Sequence, residues 1–275
     1  MAIKLIVTDL DGTFYHRDVT YDVERFKRLY GKMEEEGIRF VIASGNQYYQ
    51  LISFFDNHDE MTFIAENGGY VVEKGKEIFS VSIKKESWHK VVNYLEGLEV
   101  VDVLIICGKK SAYVLPSMPD EVMKEFSQYF PMIRKVEDIN TIDDQIIKIA
   151  LMSEESAVDA LVKDINELID EELATVTSGH GCIDVVVKDV HKGHALELLM
   201  KKWNIRREEI MAFGDAMNDY EMLKTAGYGF VMANAKPQLK EQFKNITEFS
   251  NEEDGELVVL DEYFSDREAF LEKYR

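Results

Sequence analysis

A strand-like run that ends in acids constrains this chain most, and the chain has it twice. Ile3–Thr8 is short, apolar and β-branched, and it runs directly into Asp9-Leu10-Asp11-Gly12-Thr13. Near the other end, Ile210–Phe213 has the same character and runs into Gly214-Asp215-Ala216-Met217-Asn218-Asp219. In an open parallel sheet, ligands bind beyond the carboxyl ends of the strands. Asp9 is the first acid beyond its strand, so it can point into such a crevice, and Asp11 can reach the same ligand. Gly12 lets the backbone turn closely, so that N–H groups can face an anion. Taken alone, Asp-Gly-Thr is a common turn with capping carboxylates. If the two strands are neighbours, however, Asp9, Asp11 and Asp215 converge, with Asp219 as a further candidate. Carboxylates pushed together repel one another unless a cation holds them. Hard oxygen ligands with room for water suit Mg²⁺. Asp215 and Asp219 have plainer roles too, as the cap of the following helix and the support of its turn.

The pattern between these runs predicts an α/β fold with an insertion. Val23–Glu36 has helical spacing, with Phe26, Leu29 and Met33 on one side, and Gly37 ends it. Arg39–Ala43 and Thr62–Ala65 read as buried strands, Tyr48–Phe55 as a helix, and Tyr70–Glu73 with Lys76–Phe79 as a hairpin. Alternating strands and helices imply a parallel sheet covered on both faces. The middle differs. Val101–Cys107 and Ser111–Leu115 read as adjacent strands, as do Leu173–Thr177 and Cys182–Val187, with Gln145–Met152 a further strand. Glu86–Leu98, Glu121–Phe130 and Ala157–Ile169 read as their backing helices. From Ala195–Trp203 onward the strand–helix rhythm returns, and Leu257–Tyr263 and Arg267–Tyr274 read as closing helices. The expected architecture is a Rossmann-like doubly wound parallel sheet from residues 1–82 and 189–275, interrupted by an inserted α+β domain at 83–188.

Composition narrows the function. The chain has 275 residues and is 46% hydrophobic, enough for one core domain and a smaller one. Its formal net charge of -20 argues against nucleic acid, whose binding needs a positive surface. The same acidity requires any phosphate site to carry its own positive charge. Ser44-Gly45-Asn46, after Arg39–Ala43, offers a hydroxyl and a glycine that can donate to phosphate oxygens at a helix start. Lys192-Gly193 opens the helix before Trp203, and a lysine aimed inward there neutralises both phosphate and acids. Singly, these are a plain N-cap and a solvated lysine. Cys107 and Cys182 lie in strand-like runs and read as small buried side chains, and no Cys/His pattern suggests zinc. Trp88 and Trp203 read as core residues. No apolar stretch is long enough to span a bilayer and the start has no signal-peptide pattern. The expectation is a soluble cytoplasmic protein without membrane or nucleic-acid partners.

Asp9-x-Asp11-Gly-Thr, Ser44-Gly45, Lys192-Gly193 and Gly214-Asp215-x-x-Asn218-Asp219 stand in the order of the four motifs of the haloacid dehalogenase-like superfamily. The chain resembles that superfamily over nearly its whole length. Within it, Val41–Phe55, Ala65–Gly68, Val176–Gly179 and Met232–Ala235 are similar to the Cof-type sugar phosphatases, whose α+β cap lies between the second and third motifs. The resemblance implies a monomeric, Mg²⁺-dependent phosphatase of small phosphorylated metabolites, sugar phosphates first and flavin mononucleotide among them. It implies Asp9 as the nucleophile that forms an aspartyl-phosphate, and Asp11 as general acid and then base. Mg²⁺ would be held by Asp9, Asp215 and the main-chain carbonyl of Asp11, with Asp219 binding metal-bound water or orienting Lys192. Ser44, Gly45, Lys192 and Asn218 would hold the transferring phosphoryl group. The inserted domain becomes a lid that excludes water and chooses the substrate, with Ser178–Gly181 and Asp184 as candidate contacts. His180 and His191 read as surface histidines, and Glu252-Glu253-Asp254 as a solvated acidic run that relatives place near the metal. Asn46 stands where many relatives carry Arg, and Phe14-Tyr15-His16 where they often have leucine. A phosphomutase on sugar phosphates uses the same residues. A phosphate-sensing module is a third reading, from which a loss among Asp9, Asp11, Lys192 or Asp215 is expected, and none is lost.

Overall fold

A computed structural model describes residues 2–179 and 181–274, apart from the side chain of Ser178. The strands are β1 (Leu5–Thr8), β2 (Arg39–Ala43), β3 (Thr62–Ala65), β4 (Tyr70–Glu73), β5 (Lys76–Ser80), β6 (Val101–Gly108), β7 (Ala112–Val114), β8 (Ile133–Lys135), β9 (Ile146–Ser153), β10 (Leu173–Gly179), β11 (Cys182–Val187), β12 (Ile210–Gly214) and β13 (Tyr228–Val231). The helices are α1 (Val23–Glu36), α2 (Tyr48–Ser53), α3 (Lys85–Leu95), α4 (Asp120–Phe126), α5 (Val158–Leu168), α6 (Lys192–Trp203), α7 (Tyr220–Thr225), α8 (Pro237–Lys240), α9 (Gly255–Ser265) and α10 (Arg267–Lys273).

β1 is buried along its whole length because its alternate residues serve two cores. Ile6 joins one, with Phe40, Ile42 and Phe63, under α1, α9 and α10. Leu5 and Val7 join the other, with Val41 and Ala212, under α6 and α7. The core sheet runs β13-β12-β1-β2-β3-β4-β5. Its first five strands are parallel, and the β4–β5 hairpin extends the edge antiparallel. The chain steps from β1 to β2 and β3 on one side and adds β12 and β13 on the other. The direction therefore reverses between β1 and β12, and an open sheet gapes at such a point. α1 carries Phe26, Leu29 and Met33 inward; Asp22 caps its start, and Gly37, at φ 68°, ends it in the left-handed region.

The second sheet runs β10-β11-β9-β6-β7-β8 and is antiparallel except where β8 joins β7. One face, with Ile106, Ile149, Leu151 and Ile183, packs on α3 and α5 around Trp88. The opposite face carries Val103, Ile105, Cys107, Ala150 and Met152, and α4 covers only part of it. The sequence carries no signal for β8: three residues of mixed polarity have no period, and pairing with β7 makes them a strand. α4 stops at Phe126 instead of Phe130, and turns lead to Pro131, whose ring disfavours helix in the residue before it. Among the described residues no helix is long and apolar enough to cross a membrane.

Candidate active site

Parallel pairing continues past β1, where the Asp9 N–H donates to the Phe213 carbonyl at 3.1 Å. The two acidic loops therefore leave neighbouring strands side by side. Lys192, the first residue of α6, is fully buried and not solvated. Its Nζ lies 2.6 Å from Asp9 Oδ1 and 2.6 Å from Asp219 Oδ1. The other Asp219 oxygen accepts from the backbone N–H groups of Asp215, at 3.1 Å, and Ala216, at 3.0 Å. Both Asp219 oxygens are thus occupied, one shaping the loop and one aiming Lys192. Gly12 has φ +81°, and a Cβ on it would sit 2.5 Å from Asp215 Oδ2, so both conformation and space require glycine. Thr13 Oγ1 donates to Asp215 Oδ1 at 3.3 Å.

Asp9, Asp215 and Asp219 offer carboxylate oxygens that all lie within 4.8 Å of one another. Burial pushes the Asp9 carboxyl well above its usual range; Lys192 pulls it back, while Asp219, Asp215 and Asp11 push it further up. Burial, and then the Asp219 charge, pushes Asp215 up to about 6. Burial works against the Lys192 charge, but Asp219 and Asp9 outweigh it and raise its pKa. This is a cluster of hard oxygens with more negative charge than its one lysine offsets, and that donor set fits Mg²⁺. Burial also raises Asp11, against the Asn46 amide, whose Nδ2 donates to Asp11 Oδ2 at 2.7 Å.

A cavity of about 750 Å³ opens above these acids, with Asp9, Asp11 and Asp215 on its floor. Ser44, Gly45, Asn46, Asn67 and Asn218 line its wall. Ser44 Oγ accepts from the Asn46 N–H at 3.1 Å, and Asn218 Nδ2 donates to Asn67 Oδ1 at 3.1 Å. Lys192 is not among the lining residues and contacts the floor through Asp9. The roof belongs to the second sheet, α4 and the turn after it: Val103, Ile105, Phe126, Phe130, Ala150 and Met152. Lys148 and Asp184 add the roof's charged patch.

Several expectations change. Cys107 is buried, but Cys182 is half-buried on the cavity wall. His191 caps α6, its Nδ1 accepting from the His194 N–H at 3.1 Å. The acidic run is solvated at Glu252 and Glu253, as expected, but it is also tethered: Asp254, half-buried, pairs with His16 Nε2 at 3.0 Å, and Glu252 accepts from the Arg17 N–H at 2.8 Å. Phe14 and Tyr15 keep their plain reading as packing residues, buried in the core. His180 and the Ser178 side chain lie outside the described residues. Four residues went unremarked in the sequence. Asn67 and Asn234, the latter donating to the Gly12 carbonyl at 2.7 Å, stood in stretches noted only for their similarity to other proteins. Lys148 had a signal, as the one charged residue in the run Ile146–Ser153. Glu256 had none; it is buried on α9, accepts from Thr8 Oγ1 at 2.5 Å, and is pushed up to about 8 by burial.

Comparison with known proteins gives a consistent picture. A sequence model described as haloacid dehalogenase-like hydrolase matches residues 6–260. The 5-amino-6-(5-phospho-D-ribitylamino)uracil phosphatase YbjI of Escherichia coli (strain K12) is 39% identical over 98% of this chain and 99% of the relative. The phosphatase of the same description, YwtE, of Bacillus subtilis (strain 168) is 26% identical over 97% of this chain and 100% of the relative. Among solved structures, SMU.1108c from Streptococcus mutans UA159 superposes with a TM-score of 0.88 at 34% identity, over 96% of this chain and 100% of that one.

Proposed function

The chain belongs to the haloacid dehalogenase-like hydrolases, and we propose that it is a Mg²⁺-dependent phosphatase of small phosphorylated metabolites, acting through an aspartyl-phosphate. The observation that carries this reading is the Lys192 ammonium 2.6 Å from Asp9 Oδ1. It favours the ionised form of a buried carboxylate and leaves Oδ2 to attack phosphorus. As the Oδ2–P bond forms, the P–O bond to the leaving alkoxide breaks, and Asp11 gives that oxygen its proton. The burial that raises Asp11 suits it to carry that proton. Asp11 then takes a proton from the water that attacks the aspartyl-phosphate, releasing inorganic phosphate and restoring Asp9. Ser44, Gly45 and Asn218, on one cavity wall, are the donors for the phosphoryl oxygens. Asp9 and Asp215 through their carboxylates, and Asp11 through its main-chain carbonyl, are the residues to hold Mg²⁺, with Asp219 steering Lys192 from behind. Bound there, the ion stabilises the charge that develops on the transferring group.

Residues 1–82 and 189–275 serve in this reading as the catalytic core and 83–188 as its cap. The cap selects a phosphorylated sugar or polyol chain that carries a flat ring. Two considerations support this class: the relatives in Escherichia coli and Bacillus subtilis are named for a ribitylaminouracil phosphate, and the apolar roof of a 750 Å³ cavity offers more space than a bare sugar phosphate fills. The test is phosphate release with Mg²⁺ from hexose and pentose phosphates, flavin mononucleotide and ribitylaminouracil phosphate, with Asp9→Asn alongside. The ring-bearing substrates should have the highest kcat/KM, and Asp9→Asn should turn over none. Turnover by pure Asp9→Asn would sink the nucleophile, an isomeric sugar phosphate in place of free phosphate would sink hydrolysis, and equal kcat/KM throughout would sink the substrate class.

A further inference from the structure

A second cluster of charges, outside the acid site, joins the two sheets. Lys148 lies on β9, on the face it shares with Ala150 and Met152. Its side chain is only 7% exposed. The ammonium donates to the Gly45 carbonyl oxygen at 2.9 Å. It also lies 3.0 Å from Glu66 Oε2 and 3.6 Å from Asp184 Oδ2. Asp184 belongs to β11, beside β9, whereas Gly45 and Glu66 belong to the loops after β2 and β3. The ammonium thus makes one hydrogen bond, to the Gly45 carbonyl, and pairs with two carboxylates, one from its own sheet and one from across the interface. Burial opposes the Lys148 charge, but the Asp184 and Glu66 carboxylates outweigh it and raise its pKa.

The core side is built around this contact. Glu66 and Asn67 have φ of 52° and 54°, a conformation that costs non-glycine residues energy and persists where surrounding contacts impose it. Glu66 is buried, neither of its carboxylate oxygens has a hydrogen-bond partner, and Lys148 is the cation that lowers its raised pKa. The Asn67 N–H donates to the Ser44 carbonyl at 3.0 Å. Asn46, next to Gly45, is the residue that holds Asp11. A path of direct contacts therefore runs from Lys148 through the Ser44–Asn46 loop to the general acid.

We propose that Lys148 is a positioning residue for the reaction: it clamps the second sheet onto the core through Glu66 and fixes the Ser44–Asn46 loop through the Gly45 carbonyl. It touches no reacting atom, and its effect passes through Asn46 to Asp11. The kinetic part of this inference rests on the phosphatase reading; the clamp itself does not.

The experiment compares Lys148→Met, Lys148→Arg, Glu66→Gln and the Lys148→Met/Glu66→Gln pair with the parent protein. Each is measured by thermal unfolding, by small-angle scattering with Mg²⁺, and by kcat and KM on p-nitrophenyl phosphate. Lys148→Met and Glu66→Gln should still unfold cooperatively but scatter with a larger radius of gyration. Their kcat should fall, on the order of 10²-fold for Lys148→Met, with KM changing less, since the loop is misplaced and not removed. Lys148→Arg should recover most of the loss, and the double variant should be no worse than Lys148→Met, because both changes break one pair. Parental scattering and parental kcat in Lys148→Met overturn the proposal, as does an equal loss in the Arg and Met variants, which marks packing alone. If Lys148→Met does not fold, Glu66→Gln decides, and parental scattering with parental kcat there overturns the proposal. A parent protein that releases phosphate from no substrate defeats the phosphatase reading, while scattering still decides the clamp.

Discussion

Asn46 donates its side-chain N–H to Asp11 Oδ2 across 2.7 Å, so the loop after β2 holds the acid that follows β1. The expected arginine at this position would have brought a full charge toward the substrate. Asparagine brings a directed donor instead, and it works against the burial that raises the Asp11 carboxyl.

Asn46→Ala should therefore change the pH profile as well as the rate. Losing a hydrogen bond to the charged form raises the Asp11 pKa further. A general acid is lost as pH rises through its pKa, so the basic limb of kcat/KM should move to higher pH. The carboxyl also loses its orientation, and kcat should fall about tenfold or more. A pH–rate profile of both proteins checks this; a basic limb that stays put or moves down rejects the role.

Lys192→Met should cost both stability and activity. It leaves Asp9 and Asp219 facing one another, buried and without their shared cation. Removing one partner from a buried ion pair typically costs on the order of 3–5 kcal/mol. Thermal unfolding should show a clear fall in Tm, and kcat should drop by about 10²-fold or more. An unchanged Tm would mean that the two acids share a proton without strain.

Glu256 should make the protein less stable in alkali. Its carboxyl is pushed up to about 8, from an ordinary value of 4.5, by burial. Folding therefore favours its protonated form. That contribution is fully present below the ordinary value and is lost as pH rises through the folded one. Glu256→Gln can still accept from Thr8 and carries no proton to lose. Its stability advantage over the parent should grow from about pH 5 to about pH 9, reaching a few kcal/mol. Urea unfolding across that range measures it, and a difference that does not grow with pH rejects the assignment.

EDTA should abolish turnover and Mg²⁺ should restore it. Mg²⁺ at about 100 times its Kd should stabilise the fold by about 2.7 kcal/mol, visible as a rise in Tm. The ion must displace the proton from Asp215, which sits at about 6. The Mg²⁺-induced rise should therefore shrink as pH falls below that value, and Asp215→Asn should lose it. A rise that survives in Asp215→Asn places the ion elsewhere.

Much of the architecture was legible because it is written in local pattern. β2, β3 and β4 fall where their apolar, β-branched runs were read. α1 falls between an acceptor side chain at Asp22 and a left-handed Gly37. Elements held by partners were not legible. β8 has three residues and no period of its own. α9 begins at Gly255, ahead of the apolar spacing that marked it, and so takes in the buried Glu256.

What the sequence determined alone is the class of fold and the candidate residues Asp9, Asp11, Lys192 and Asp215, since residue type and position at a strand end are local properties. Tertiary structure alone decided what each residue faces. It placed β12 beside β1, so that acids from distant parts of the chain lie within 4.8 Å of one another. It turned Lys192 into a fully buried cation behind Asp9 and gave both Asp219 oxygens away before any ligand arrives. It also carried Lys148 across the interface to Gly45 and Glu66. The reason is physical: a side chain's charge, protonation and freedom depend on the groups around it in space, and those groups come from segments whose separation along the chain carries no record of their approach.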